Sequence, residues 1–248
     1  MNKPIILAAL ALTLTARFSP AGAVVCEQAP PPAAAGATLV VDDDGGAAQI
    51  VPRSLQASQA SPASQASPAG AAAGELSFHG GAVVQRGDVR AIFLGRSWRQ
   101  VANRRREARA SAELLGHWEA PSRAALSRSG VATRELTVQA QEDLLDPLAG
   151  REISDLEIQA RLDAGLAGGA GDPAGTVFVI FLAPGLRSTL GASNSERDYV
   201  AYHNHFHAAA GVVRYTVVPY EDDLGRWLAN ARQGLLQTLI NPEGNGWF

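Results

Sequence analysis

The sequence predicts a single mixed α/β domain, a mixed β-sheet packed by helices, preceded by a signal peptide and a disordered tether. Three observations predict the domain. The run Thr176-Val177-Phe178-Val179-Ile180-Phe181-Leu182 is apolar without interruption and rich in β-branched and aromatic residues, as a strand buried on both faces requires. Val89-Arg90-Ala91-Ile92-Phe93-Leu94 has the same character. Leu224, Trp227, Leu228, Ala231, Leu235 and Leu239 recur at helical intervals, so a last helix presents one apolar stripe to the sheet.

From the N-terminus, Lys3 precedes an apolar run from Ile5 to Leu14, and Ala21-Gly22-Ala23 supplies the small residues of a cleavage site. Residues 1–23 thus read as a signal peptide, and export to the periplasm or the outside is expected. The run is shorter than the ~20 residues that span a bilayer. No later stretch is long and apolar enough, so no transmembrane segment is expected in the mature chain. Cys26 is the sole cysteine, which leaves the fold to be held by its core rather than by a disulfide. Lipid attachment at Cys26 is disfavoured by the bulky Val25 before it.

Residues 24–75 are rich in Ala, Pro, Ser and Gln and include the tandem pair Ser58-Gln59-Ala60-Ser61-Pro62-Ala63 and Ser64-Gln65-Ala66-Ser67-Pro68-Ala69. The few aliphatic residues, near Leu39 to Val41 and Ile50 to Leu55, are too sparse to offset the entropy of ordering the chain. A disordered tether is therefore expected over 24–75.

The α/β domain is assigned to 76–248. Gly80-Gly81 marks a turn before the strand at Val89. Trp98, Val101, Ala108, Ala112, Leu115 and Trp118 fit an amphipathic helix, and a second helix follows Pro121. Val131 to Gln139 reads as a strand. Ser154 with Glu157 three residues on has capping-box spacing and opens a helix through Leu166, ended by Gly168-Gly169. Tyr199 to His207 and Val212 to Tyr220 read as strands joined by a short loop over Ala208 to Gly211. Asn241-Pro242 stops the last helix.

A net charge of −3 provides no global field for nucleic acid, and Lys3 is the only lysine among 21 basic residues. The arginine run Arg96, Arg99, Arg104, Arg105, Arg106 and Arg109 reads as the solvated face of a helix, so no nucleic-acid partner is expected. No phosphate-binding loop or dinucleotide fingerprint is present.

Three segments, Leu76-Ser77-Phe78-His79-Gly80-Gly81 leading into Val89 to Gly95, Ala201-Tyr202-His203-Asn204-His205-Phe206 leading into Val217 to Tyr220, and Ile240-Asn241-Pro242-Glu243-Gly244-Asn245-Gly246-Trp247-Phe248, resemble in order the Exordium-like, or phosphate-induced, protein family. The resemblance implies an extracellular or wall-associated protein without an agreed chemical activity. It further implies that the His-Glu-x-x-Glu run of many bacterial relatives, which looks like a zinc-peptidase helix, falls here on Gln233, Gly234 and Gln237. An amide binds zinc poorly and takes no proton at neutral pH, so the helix reads as degenerate.

His203, His205 and His207 alternate, which on a strand places them on one face, where three imidazoles can hold zinc or copper. His79 stands beside the Gly80-Gly81 turn, and His117 reads as surface. Ser188, Ser193 and Ser195 follow the strongest strand without a nucleophile elbow, and Asp198 with His203 could serve one of them as a base pair.

The expectation is a noncatalytic binding or envelope-associated module with no required cofactor. Its polar cleft would be lined by His203, His205, Gln233 and Gln237 and closed by Asn245 and Trp247, for a cell-envelope polymer, sugar or peptide. The alternatives are a metal-dependent hydrolase using the three hairpin histidines, and a structural wall protein. If helix and hairpin form one site, Q233H/G234E/Q237E together should raise zinc affinity.

Overall fold

The computed structural model describes residues 38–42, 46–53, 81–82, 84, 88–116, 138–142, 151–167 and 173–246. The signal peptide, Cys26, the tandem pair, His79, His117, the helix expected after Pro121, and Trp247 with Phe248 lie outside them.

The strands are β1 (Thr38–Val41), β2 (Ala47–Pro52), β3 (Asp88–Leu94), β4 (Val138–Glu142), β5 (Glu152–Ser154), β6 (Thr176–Leu182), β7 (Arg187–Leu190), β8 (Ser193–Asn194), β9 (Tyr199–Ala208) and β10 (Gly211–Val218). The helices are α1 (Val101–Gly116), entered through a 3-10 turn at Arg96–Arg99, α2 (Asp155–Ala167) and α3 (Leu224–Ile240). Seven strands form one mixed sheet in the order β1-β2-β9-β10-β6-β3-β4, and β5-β7-β8 form a small second sheet. β10, β6, β3 and β4 run parallel, while β9, β2 and β1 continue the sheet antiparallel.

Every residue of β6 is buried, because helices cover both faces of the sheet. Val177, Val179 and Phe181 point toward α1 and α3, where they pack with Trp98, Ala110, Trp227, Ala231 and Leu235. Phe178, Ile180 and Leu182 point the other way, toward Ile158 and Leu162 of α2. Alternation along one strand thus builds two cores at once. The α2 start is local chemistry: Ser154 N donates to Glu157 Oε2 at 2.9 Å, and Glu157 N donates back to Ser154 Oγ at 3.3 Å.

The expected tether over 24–75 is corrected where the structure describes it. Thr38–Val41 and Ala47–Pro52 are strands of the main sheet, with Ala48, Ile50 and Val51 buried. β9 offers β2 a free edge, so the burial and hydrogen bonds that the segment cannot supply to itself come from a distant partner. Arg53 then fastens the end of β2, through Glu221 at 2.7 Å and the Ser195 carbonyl at 2.6 Å. The hairpin differs slightly from expectation: β9 and β10 meet at a two-residue turn, Ala209-Ala210, followed by Gly211 at φ 131°.

Leu235, fully buried in α3 against the sheet, should cost about 2–5 kcal/mol of stability as Leu235→Ala. Urea unfolding checks this, and a loss under about 0.5 kcal/mol would place the side chain at the surface.

Candidate functional site

His203 sits on the α3 face of β9, and the helix closes over it: only 2% of its surface is exposed. Its Nε2 lies 2.9 Å from the Asn241 carbonyl, which only accepts, so Nε2 carries the proton and Nδ1 is a bare lone pair. Burial pushes its pKa down to about 4, with the neighbouring His205 adding to the shift and the Asn241 carbonyl opposing it. The Gln237 carboxamide, 2% exposed, faces this ring and weakly opposes the shift. It closes no hydrogen bond, since His203 Nδ1 and both polar atoms of Gln237 are buried without a partner.

The expected meeting of hairpin and last helix therefore occurs at His203 and Gln237, but as a sealed helix–sheet interface rather than an open polar cleft. Gln233 is half-buried and Asn245 exposed. His205 is half-buried and His207 exposed, their ring centroids 6.0 Å apart. Among the described residues no three His, Cys, Asp or Glu side chains gather as a metal would need. His203 is turned to its carbonyl partner beneath the helix while His207 stands in solvent.

Gly234 explains why α3 comes so close. A Cβ built there would lie 2.4 Å from Thr216 Oγ1 and 3.5 Å from the Ala201 side chain. The backbone of α3 thus rests on β9 and β10, and a glutamate at 234 has no room in this packing. The expectation that Q233H/G234E/Q237E would build a zinc site is overturned on steric grounds.

Described parts of three distant segments, Gly81 with Val84, His203, and Asn241 to Gly246, meet at this end of α3. Asn241 Oδ1 accepts from Gly246 N at 2.8 Å, Val84 N donates to the Leu239 carbonyl at 3.0 Å, and a Cβ on Gly81 would lie 2.3 Å from Gly246 Cα. Backbone-on-backbone contact of this kind leaves no space for side chains at 81.

Two of the serines after β6, Ser188 and Ser195, are structural. Ser188 is buried with its Oγ 3.0 Å from the Tyr199 hydroxyl, and Ser195 Oγ accepts from Ser188 N at 3.0 Å. Asp198 pairs with Arg197 and accepts from Asn194 N at 2.8 Å, while His203 faces α3, so Asp198 and His203 form no Ser-His-Asp arrangement with these serines.

Sequence reasoning missed two further features. Asp155, directly after the α2 cap, is fully buried. Its carboxylate accepts from the Tyr202 hydroxyl at 2.7 Å, the Tyr215 hydroxyl at 2.8 Å, and the Asn204 and Gln159 amides at 2.9 Å. Desolvation raises its pKa, opposed by these hydrogen bonds. The strand tyrosines were the available signal, since a buried phenol needs a partner.

The second missed feature is a cleft of about 370 Å³ lined by Gly95, Arg96 and Ser97 after β3, by Ala183 to Leu186 after β6, and by Arg151. The chain leaves β3 toward β4 on one side and leaves β6 toward β10 on the other. The cleft therefore lies outside the carboxyl ends of adjacent parallel strands at a topological switch point, where open α/β sheets bind ligands. Gly95, at φ 117°, lets the two loops touch: its Cβ would meet Ala183 Cβ at 2.7 Å. Across from it, Leu186 N donates to the Ala183 carbonyl at 3.0 Å, with Gly185 at φ 80° completing a Pro-Gly turn. No family model, curated protein or solved structure matches the chain.

Two outcomes test this geometry. Gly234→Ala should cost about 1–3 kcal/mol by overpacking against Thr216, measured by urea unfolding. For His203 the folded pKa lies below the ordinary 6.5, so between those values the unfolded chain binds the extra proton and stability falls as pH falls. The full effect is about 3 kcal/mol, present above pH ~6.5 and lost by pH ~4. Unfolding measured across that range should show a shallower acid limb in His203→Gln, and an unchanged limb would mean that the ring is not held neutral.

Proposed function

We propose that this chain is a noncatalytic binding module acting outside the cytoplasm, and that its ligand sits in the cleft between the loops after β3 and β6. The observation that carries the reading is the position of that cleft at the switch point of the parallel strands. The hydroxyl and carboxamide nearby are engaged in holding loops: Ser97 Oγ donates to the Pro184 carbonyl at 3.3 Å, and Asn103 Nδ2 donates to the Ser97 carbonyl at 2.6 Å. Such a wall is stiff and preformed, which lowers the ordering cost of binding. The signal-peptide pattern at residues 1–23 and the resemblance to the Exordium-like family support an exported setting and a cell-envelope polymer, sugar or peptide as ligand.

The test is co-sedimentation of protein purified without a His tag with insoluble cell-envelope polymer. The wild-type chain should pellet and release no soluble fragments. Pro184→Trp, which leaves a turn position that tolerates most residues and fills the cleft, should stay in the supernatant. Time-dependent release of fragments would make the protein an enzyme, and undiminished pelleting of Pro184→Trp would move the site elsewhere.

A further inference from the structure

Many arginines elsewhere in the described structure are neutralised or pinned, whereas Arg104, Arg105 and Arg109 lie exposed on α1. Arg53 pairs with Glu221, Arg187 with Glu152 and Glu196, Arg197 with Asp198, and Arg214 with Glu243. Arg106 is held by the Tyr220 hydroxyl and by backbone carbonyls, with its guanidinium over the Tyr220 ring. Arg96 and Arg151 differ from all of these in sharing one concavity. Both are exposed, both line the switch-point cleft, and neither guanidinium has a hydrogen-bond or ion-pair partner among the described residues.

The rest of the described wall is neutral: Gly95, Ser97, Ala183, Pro184, Gly185 and Leu186. No acidic side chain among the described lining residues competes for the two cations, and Glu152, adjacent in sequence to Arg151, is already committed to Arg187. Two unpaired guanidiniums at one small, partly apolar concavity attract negative charge more strongly than the same groups on a flat, hydrated surface. Their planar donor forks match carboxylate and phosphate oxygens.

Resting on the binding role proposed above, we infer that the cleft receives an anionic group of its ligand, a carboxylate or a phosphate, held between Arg96 and Arg151. The group comes either from an acidic polymer or from a free small anion.

Calorimetry on the full chain tests this with three probes: inorganic phosphate, an oligogalacturonate, and a neutral hexose oligomer of equal length. Both anions should bind and the neutral oligomer should not. R96Q and R151Q should each weaken anion binding by about tenfold or more, the size of a lost charge-assisted hydrogen bond. R151K should retain part of the affinity, and R226Q, at an exposed arginine of α3, should match wild type. All these positions are exposed, and unchanged thermal melting would confirm that the variants fold. Oligogalacturonate binding far tighter than phosphate assigns the anion to a polymer, and parity assigns it to a small free anion; both uphold the inference. Absence of binding by both anions, or wild-type affinity in R96Q and R151Q, overturns it. Should that happen while the envelope polymer still pellets the protein and Pro184→Trp abolishes pelleting, the cleft remains the site and only its anionic ligand is wrong.

Discussion

The Asp155 carboxylate, buried between α2 and the sheet, is the constraint on which one half of the molecule depends. Burying a charge costs several kcal/mol unless hydrogen bonds replace its water. Here Tyr202 of β9, Tyr215 of β10, Asn204 of β9 and Gln159 of α2 all donate to it. Asn204 also donates to Asp42 at 2.8 Å, so the network reaches the residue that follows β1. Four elements distant in sequence are thereby held in one register around a single acceptor. The position of Asp155 in the first turn of α2 adds the favourable end of the helix dipole. Desolvation still raises its pKa, which shows that the network compensates the burial incompletely.

The opposite face is organised by close approach instead of by charge. Gly234 lets α3 settle on Thr216 and Ala201, and the aromatic group Trp98, Phe181, Trp227 and Tyr220 fills the space beside it. Once α3 lies that close, His203 and Gln237 are sealed beneath it. This shows how one glycine converts what alternation of histidines suggests, a metal-binding strand face, into part of the interior. That face is closed, whereas a concavity stays open at the carboxyl ends of β3 and β6. Its walls are held by the 3-10 turn at Arg96–Arg99 and the turn at Ala183–Leu186, which are anchored in the two cores through Trp98, Ala183 and Leu186.

Much of the fold was legible in the sequence because the signals are local. Thr176–Leu182 announces a strand buried on both faces by composition alone, and it proves to be central. Ser154 and Glu157 write a capping box three residues apart, and the bonds form as that spacing dictates. The stripe from Leu224 to Leu239 marks the buried side of α3, with Leu235 at its centre. β1 and β2 were not legible, because Leu39 to Val41 and Ile50 to Val51 carry too few apolar residues to form structure alone; the edge of β9 completes them.

The sequence by itself determined the α/β class, the central strand, the starts of α2 and α3 and the strand periodicity that puts His203, His205 and His207 at alternate positions. Each of these depends on residues within a few positions of one another, where propensity, capping and alternation act. Only the tertiary structure decided which of those histidines is buried, that Asp155 gathers two tyrosines, and that Arg96 and Arg151 line one cleft. Those facts require the strand order and the crossovers that bring distant segments together, and strand order is set by packing summed over the whole sheet rather than by any local run of residues.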